Sequence, residues 1–502
     1  MKKFIALVLA LAMILSLTAC GNNEAKTEAK NEIVVGLSQD LGDSLDPYQM
    51  SSAGTREILT NVYEGLYKPN SDGDYVPAIA SGYEVDEDGL EYEFKIKDNV
   101  KFHNGKALSK DDIKYSFEKC EETTLDSSLP NFFANVEKID YEDGEIDIEL
   151  KAPMNDLLAY ISLIYIVPSD YSDQLTAPVG TGPFKFVSRS VQENVILEKF
   201  DDYYGEKAKL DKVTCKIYED TTTMITALNA GAIDFAAHLT LDQVNGLGAN
   251  FSILEGTMNL VEALYLNNAR KPFDDVKVRQ ALCYAINVDD ILAITADGHG
   301  SKLGTSIYPS FKKYFDEKLI DFYPYSPTVA KQMLTEAGYP NGFDMEVVVP
   351  SNYTPHVNVG AVIVEQLKAV GINASLKEVE WNTWLTDVYQ GRDFDATVSG
   401  FDASTLTANA LLERWQTGHK KNMISFSSEM YDDLMKLANA STDEAERTGY
   451  FMAAAEVLTR EAANVYIQDL AEFTAIKKGL EGFKFYPLYK LDFATIYYAA
   501  EK

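Results

Sequence analysis

Lysine and arginine are scarce in this sequence, 45 against 77 aspartates and glutamates, for a formal net charge of −32. A chain without clustered cations cannot neutralise a phosphate backbone, so nucleic acid is excluded as a partner. The excess charge reads as a solvated, self-repelling surface. Long apolar runs are lacking too. The longest, Phe4 to Ala19, falls short of the roughly 20 apolar residues of a bilayer-spanning helix. Histidine is rarer still. His103, His238, His299, His356 and His419 are scattered, and none lies three or four residues from another. Beyond Cys20, the three cysteines Cys120, Cys215 and Cys283 are far apart and odd in number, so they cannot all pair internally. Buried, inert thiols are expected.

Catalytic signatures are missing as well. There is no Gly-rich loop ending in Gly-Lys-Ser/Thr, and Gly298 with Gly300 lacks the rest of a dinucleotide fingerprint. No His-Glu-x-x-His pair and no Gly-x-Ser-x-Gly elbow occurs. Asp86-Glu87-Asp88-Gly89 lacks the spaced ligands and closing Glu of a calcium loop, and reads as a hairpin turn. No catalytic residue, cofactor or metal is expected.

What is present begins at the N-terminus. Lys2 and Lys3, a short apolar core and the tetrad Leu17-Thr18-Ala19-Cys20 form a secretory signal. The tetrad resembles the bacterial lipoprotein signal, in which Cys20 is lipidated and becomes the new N-terminus. Two acyl chains suffice for stable anchoring. Residues 21–31, small and polar, read as a flexible tether.

Two stretches read as βαβ units. In the first, a strand Val213 to Tyr218 precedes a helix capped by Asp220 and ended by Gly231, and a strand resumes at Ile233. In the second, Met345 to Val349 precedes a helix over about Val359 to Val370, then strands over Ile372 to Val379 and Phe394 to Ser399. The pattern predicts mostly parallel sheets covered by helices, one in each of two lobes. Ser326 and Pro327 start a further helix, and Asp274 or Asp275 caps another from Val276. Between about 75 and 151 the period changes to two, with Asp88-Gly89 and Asp143-Gly144 as turns. This predicts antiparallel hairpins with one wet face, inserted into the first lobe.

A series of short motifs then carries a family resemblance. It runs through Leu45-Asp46-Pro47, Val62-Tyr63-Glu64-Gly65-Leu66, Val100-Lys101-Phe102-His103-Asn104-Gly105 and Val179-Gly180-Thr181-Gly182-Pro183-Phe184. It continues with Phe273 to Leu282, Leu334 to Pro340, and Leu491-Asp492-Phe493. Taken in order, these resemble the family 5 solute-binding proteins, the oligopeptide, dipeptide and nickel binders of ABC importers. The resemblance implies an α/β fold with two lobes, periplasmic-binding-protein-like (a Venus flytrap), with an extra α+β subdomain in lobe I. The expected division is a signal peptide over 1–19 and Cys20 with its tether over 20–31. Lobe I spans 32–262 with the insertion at about 48–165, lobe II spans 263–475, and a return segment spans 476–502. His103 and Arg279 are expected to be structural, and Gly180 and Gly182 to occupy unusual backbone angles.

The resemblance also implies a function. The chain would capture a peptide or peptide-like solute in the interlobe cleft without turnover. As a monomer held to the membrane by Cys20, it would hand the solute to a permease with cytoplasmic ATPases. Ligand-binding candidates are Ser51, Ser52 and Ala53 from lobe I, and His356, Asn358, Trp381, Phe401, Asp402, Ser404 and Trp415 from lobe II. The motif that carries an amine-binding Asp in peptide binders reads Gly400-Phe401-Asp402-Ala403-Ser404 here. Ser404 falls at the acid's place and Asp402 two residues early. The loop that supplies an Arg for the ligand carboxylate in dipeptide binders reads Tyr353 to Asn358, with no Arg. A standard dipeptide is therefore disfavoured, because a buried charge without a partner is costly. A metal chelate held with His356 or His419 is the alternative, and an extracytoplasmic hydrolase a remote one.

Overall fold

The computed structural model describes residues 31–499 apart from 43, 51, 123–128, 219 and 404. The lipidation candidate Cys20 and the pocket candidates Ser51 and Ser404 lie outside the described residues.

The first βαβ unit forms around its cap. The Asp220 carboxylate accepts the N–H of Thr223 at 2.8 Å and opens the helix Thr221–Asn229, and Gly231 follows at φ +72°. Its strands, Lys212–Ile217 and Phe235–Leu239, flank Glu32–Leu37 in parallel register. They form the middle of a seven-stranded sheet in the order Phe251–Thr257, Ala471–Lys477, Phe235–Leu239, Glu32–Leu37, Lys212–Ile217, Asn194–Lys199, Phe184–Ser190. The second unit contributes Asp344–Pro350, Asn373–Val379 and Ala396–Asp402 to a six-stranded sheet. The other three strands of that sheet are Ser301–Lys302, Asn464–Asp469 and Leu260–Leu266. Its helix, Thr354–Lys368, starts five residues before the expected Val359, so His356 and Asn358 lie on its first turns rather than in a loop.

Both sheets are mixed, which corrects the expectation of mostly parallel ones. Three strands in each are mutually parallel, and the remaining pairings are antiparallel. Short connections explain this, since a parallel neighbour needs a crossover of a dozen residues or more. Only Met258 and Asn259 separate strand Phe251–Thr257 of one sheet from Leu260–Leu266 of the other. Only Leu470 separates Asn464–Asp469 from Ala471–Lys477. These two crossings are tied by the Met258 N–H donating to the Leu470 carbonyl at 2.8 Å. The sheet change therefore falls at 258–259 and at 470, slightly before the expected 263 and 476.

The period-two stretch forms a four-stranded antiparallel sheet, Ala80–Val85, Glu91–Ile96, Glu145–Leu150, Val136–Glu142. Gly89 and Gly144 turn its hairpins at positive φ. Phe94, Phe102, Phe117, Ile146 and Ile148 are buried in a core of its own, which begins at Leu66. The helix Ala53–Leu59 belongs instead to the lobe I core through Ile58 and Leu59, so the insertion starts well after residue 48.

Two hallmark motifs meet at His103. Its Nδ1 accepts the N–H of Gly180 at 3.2 Å, and its Nε2 lies 3.0 Å from the Gly182 carbonyl. One nitrogen must accept and the other donate, which is the neutral ring. Burial agrees, lowering the pKa to about 4. Gly180 and Gly182 are required for a different reason than expected. Neither has a left-handed φ. A Cβ on Gly180 would sit 2.2 Å from the Val62 carbonyl oxygen, and one on Gly182 would sit 2.5 Å from that of Asn61. Close backbone approach, not a special dihedral, excludes a side chain. Arg279 is buried and donates to the carbonyls of Phe273, Glu461 and Ala462. Cys120, Cys215 and Cys283 are buried free thiols, and burial pushes the Cys283 thiol up to about 12.

Candidate functional site

The helix Ala53–Leu59 and the return segment after Lys477 bound a cavity of about 900 Å³. That is ample for a small organic ligand, since such pockets usually span about 300–1,000 Å³. Lobe I supplies nearly all of its wall, with Ala53, Arg56 and Tyr165 at one side and Lys484, Tyr489 and Lys490 at another. The inserted subdomain adds Tyr75 and Pro77. Lobe II contributes Asp402 and Ala403, from the C-terminal end of strand Ala396–Asp402. Ligand crevices favour the carboxyl ends of parallel strands, because side chains and N–H groups there are not committed to the ladder.

Much of the wall's polar chemistry is already paired. Glu64 accepts from Lys68 Nζ at 2.7 Å and from the hydroxyls of Tyr203 and Tyr204. The Tyr75 hydroxyl oxygen accepts the N–H of Leu406 at 2.9 Å, which joins the insertion to lobe II. Asp492 accepts from the Tyr486 hydroxyl at 2.6 Å and from the Ala494 N–H at 3.0 Å. Burial alone would raise its pKa, but Lys490 and these hydrogen bonds outweigh burial and hold it below the usual value.

A smaller pocket adjoins the crossings between the sheets. His238, Glu472 and Tyr489 line it together with Met258, Asn259 and Asp402. His238 sits at φ +57° on a bulged stretch of strand Phe235–Leu239. Its Nε2 is 2.6 Å from Glu57, its Nδ1 is 3.0 Å from Glu472, and its ring stacks on Tyr489 at 4.5 Å. Burial would lower its pKa, but the hydrogen bonds that the ring donates to the two carboxylates prevail and raise it to about 10.

Of the residues expected from sequence, the cavity wall includes Ala53 and Asp402. Ser52 is the residue before the helix that carries Ala53 and Arg56. The other described candidates lie elsewhere in lobe II. Trp415 is 2% exposed in the lobe core, with its ring stacked on Tyr265 at 5.7 Å. Phe401 packs edge-on to Tyr265 beneath the Arg414 guanidinium, 4.1 Å above its ring. Trp381 stacks on buried Trp384 at 5.2 Å, and the Trp384 Nε1 donates to Thr397. His356 is buried, 2.6 Å from Glu262, and Asn358 is exposed on the same helix. His419 Nδ1 accepts the N–H of Lys421, and neither His356 nor His419 belongs to a close metal-ligating trio among the described residues. Among the described residues the close trio of metal-ligating types is Glu93, Glu145 and Asp147, all carboxylates on the inserted sheet. Sequence reasoning missed Arg56, His238, Glu472, Lys484, Tyr489 and Lys490. No spacing links them, because three chain segments meet only through the return strand.

Comparisons with known proteins agree with this architecture. The family described as bacterial extracellular solute-binding proteins, family 5 middle region, matches residues 74–423. A glutathione-binding protein of Pectobacterium atrosepticum is 28% identical over 469 residues, covering 88% of this chain and 90% of that protein. Among solved structures, the ABC transporter-associated periplasmic binding protein DppA from Helicobacter pylori, in complex with the peptide STSA, is 25% identical. Its TM-score is 0.71, over 93% of this chain and 98% of that one. A periplasmic murein tripeptide binding protein in an unliganded open form shares the fold with a TM-score of 0.83 at 19% identity. That match covers 94% of this chain and 98% of that one.

Proposed function

The chain belongs to the bacterial extracellular solute-binding proteins of family 5, and from that premise we propose that it captures a peptide or peptide-like solute in the cavity beneath Asp402 and delivers it to an ABC permease. The observation that carries this reading is the position of Asp402 and Ala403. They are the lobe II residues in a wall otherwise built by lobe I and its insertion. A guest held there touches both lobes, and only such differential contact shifts the population toward a closed state. Asp402 is exposed toward the cavity and offers a carboxylate to a ligand amine. The relatives named for glutathione and for a bound peptide favour this ligand class.

Motion would take place at Met258–Asn259 and Leu470, the points where the chain changes sheet. Closure brings further lobe II groups over the solute, and the chain itself turns nothing over. Cys20 tethers a monomer to the outer face of the membrane through its lipid, and residues 21–31 give the body reach. Native mass spectrometry of the purified chain tests the receptor reading, with a small solute at one per chain expected. Small-angle scattering tests closure, with a smaller radius of gyration expected when solute is added to stripped protein. Identical curves with every solute, or repeated conversion of a solute by the purified chain, would overturn the reading. Cys20→Ser should release the protein from the membrane fraction.

A further inference from the structure

The cavity wall runs against the charge of the chain. Acidic residues outnumber basic ones 77 to 45 overall. Around the cavity the balance reverses, with one arginine and five lysines facing four carboxylates. At about 0.15 M salt the Debye length is about 8 Å, so the distant surface carboxylates are largely screened and the local cations decide what the cavity attracts.

Three of the six cations have partners that explain them. Lys68 is neutralised by Glu64 at 2.7 Å. Lys97 donates to the Ala78 carbonyl, and Lys209 lies 4.4 Å over the Tyr497 ring. The other three lack a hydrogen-bonded acceptor among the described residues. Lys490 does lie 4.7 Å over the Tyr486 ring, but unlike exposed Lys209 its side chain is buried, and a ring face replaces none of its lost hydrogen bonds to water. Arg56 and Lys484 form no ion pair with a described carboxylate. Lys490 is the telling case. Its side chain is 9% exposed, and its nearest carboxylate oxygen, on Asp492, is 4.0 Å away, beyond hydrogen-bond distance. That same oxygen already accepts from the Tyr486 hydroxyl. Burying an ammonium that lacks an acceptor is costly unless something else supplies one. Burial accordingly lowers the Lys490 pKa.

We propose that Lys490, with Arg56 and Lys484, forms an oxyanion seat on lobe I, so that the solute is an organic acid whose acid group docks there. This rests on the receptor reading above and narrows its ligand class. An oxyanion gives Lys490 the hydrogen-bond acceptor that no described residue supplies. The Arg56 guanidinium offers a planar fork suited to carboxylate or phosphate. The seat lies on lobe I, and the sequence of the Tyr353–Asn358 stretch in lobe II contains no Arg or Lys.

The test uses matched probes that differ in one acid group: glutathione and its glycine monoethyl ester, trialanine and its amide, glycerol 3-phosphate and glycerol. Binding to the purified full chain is measured by calorimetry. At least one acid should bind tenfold or more tightly than the partner that lacks the acid group, and which pair responds separates carboxylate from phosphate. Arg56→Gln, at an exposed site that does not threaten folding, should shrink that preference at least threefold. Lys490→Met should shrink it further, and Lys490→Arg should restore part of it. Lys377→Gln, which removes a cation paired with Glu346 on the lobe II sheet, should leave the preference intact. Equal binding of each acid and the partner that lacks the acid group, or a preference that survives Arg56→Gln and Lys490→Met, overturns the proposal. A solute without an acid group found on the purified chain overturns the oxyanion seat while leaving the receptor reading standing. A chain that neither carries a solute nor binds any probe overturns both.

Discussion

The carboxylate of Asp469 accepts the N–H of Leu260 at 3.1 Å, tying together the ends of the two strands that cross between the sheets. Asp469 closes the strand Asn464–Asp469, and Leu260 opens the strand Leu260–Leu266. Their bond lies within two residues of the Met258–Leu470 bond, so the two crossings form one braced unit rather than two loose linkers.

This brace is sensitive to charge. Burial pushes the Asp469 carboxyl up to about 7, against the hydrogen bonds from Thr257, Leu260 and Asn259 that favour the charged form. A folded pKa above the unfolded 3.8 means that the native state holds the proton more tightly. The group's contribution is fully present below about pH 4 and lost as pH rises through 7. Asp469→Asn keeps an acceptor for Leu260 without the buried charge. The variant should be more stable than the parent at pH 8 and indistinguishable from it near pH 4, as read by urea unfolding.

Two histidines should shape the pH profile in opposite directions. The His103 pKa is depressed to about 4 from 6.5, so the unfolded chain takes up that proton first on acidification. Its contribution is full above pH 6.5 and declines toward pH 4, by about 3 kcal/mol in all. The His238 pKa is raised to about 10, so its contribution is full below pH 6.5 and lost as pH climbs through 10. Stability measured across pH should show His103→Gln flattening the acid limb and His238→Gln the alkaline one.

Arg279→Lys should be damaging although it conserves charge. The guanidinium reaches three carbonyls at 2.8–3.0 Å through Nε, Nη1 and Nη2. An ammonium on a lysine stem cannot match that fork, and buried carbonyls left unpaired cost roughly 2–3 kcal/mol. The urea midpoint should fall accordingly. The preference for the acid probes should not change, because Arg279 lies in lobe II away from the cavity.

Trp415 separates core from site. Its ring is 2% exposed, and its Nε1 has no hydrogen-bond partner among the described residues. Trp415→Phe therefore gives up packing and no hydrogen bond, at a cost of roughly 1–2 kcal/mol. Calorimetry should find ligand affinity unchanged. A marked loss of affinity without a loss of stability would return Trp415 to the binding surface.

Local chemistry was legible wherever one segment contained the whole reason for its shape. Asp220, Asp275 and Ser326 cap the helices that their positions announce. The alternation around Tyr92 and Ile146 forms the inserted sheet, and the ordered motifs identify the family. The aromatic candidates pack within lobe II in this structure, because a core and a binding wall ask for the same residues. Phe401 and Trp415 follow a pocket motif in sequence yet fill the packing around Tyr265.

The amino-acid sequence by itself determined the two-lobed, extracellular solute-binding class, the helix caps, the hairpin turns and the structural character of His103 and Arg279. Only the tertiary structure decided the mixed sheet order, the crossings at Met258–Asn259 and Leu470, and the cavity wall. The reason is physical. Caps and turns are satisfied within a few residues, whereas Arg56 and Lys490 come to one cavity only after a strand from the far end of the chain pairs into the first sheet.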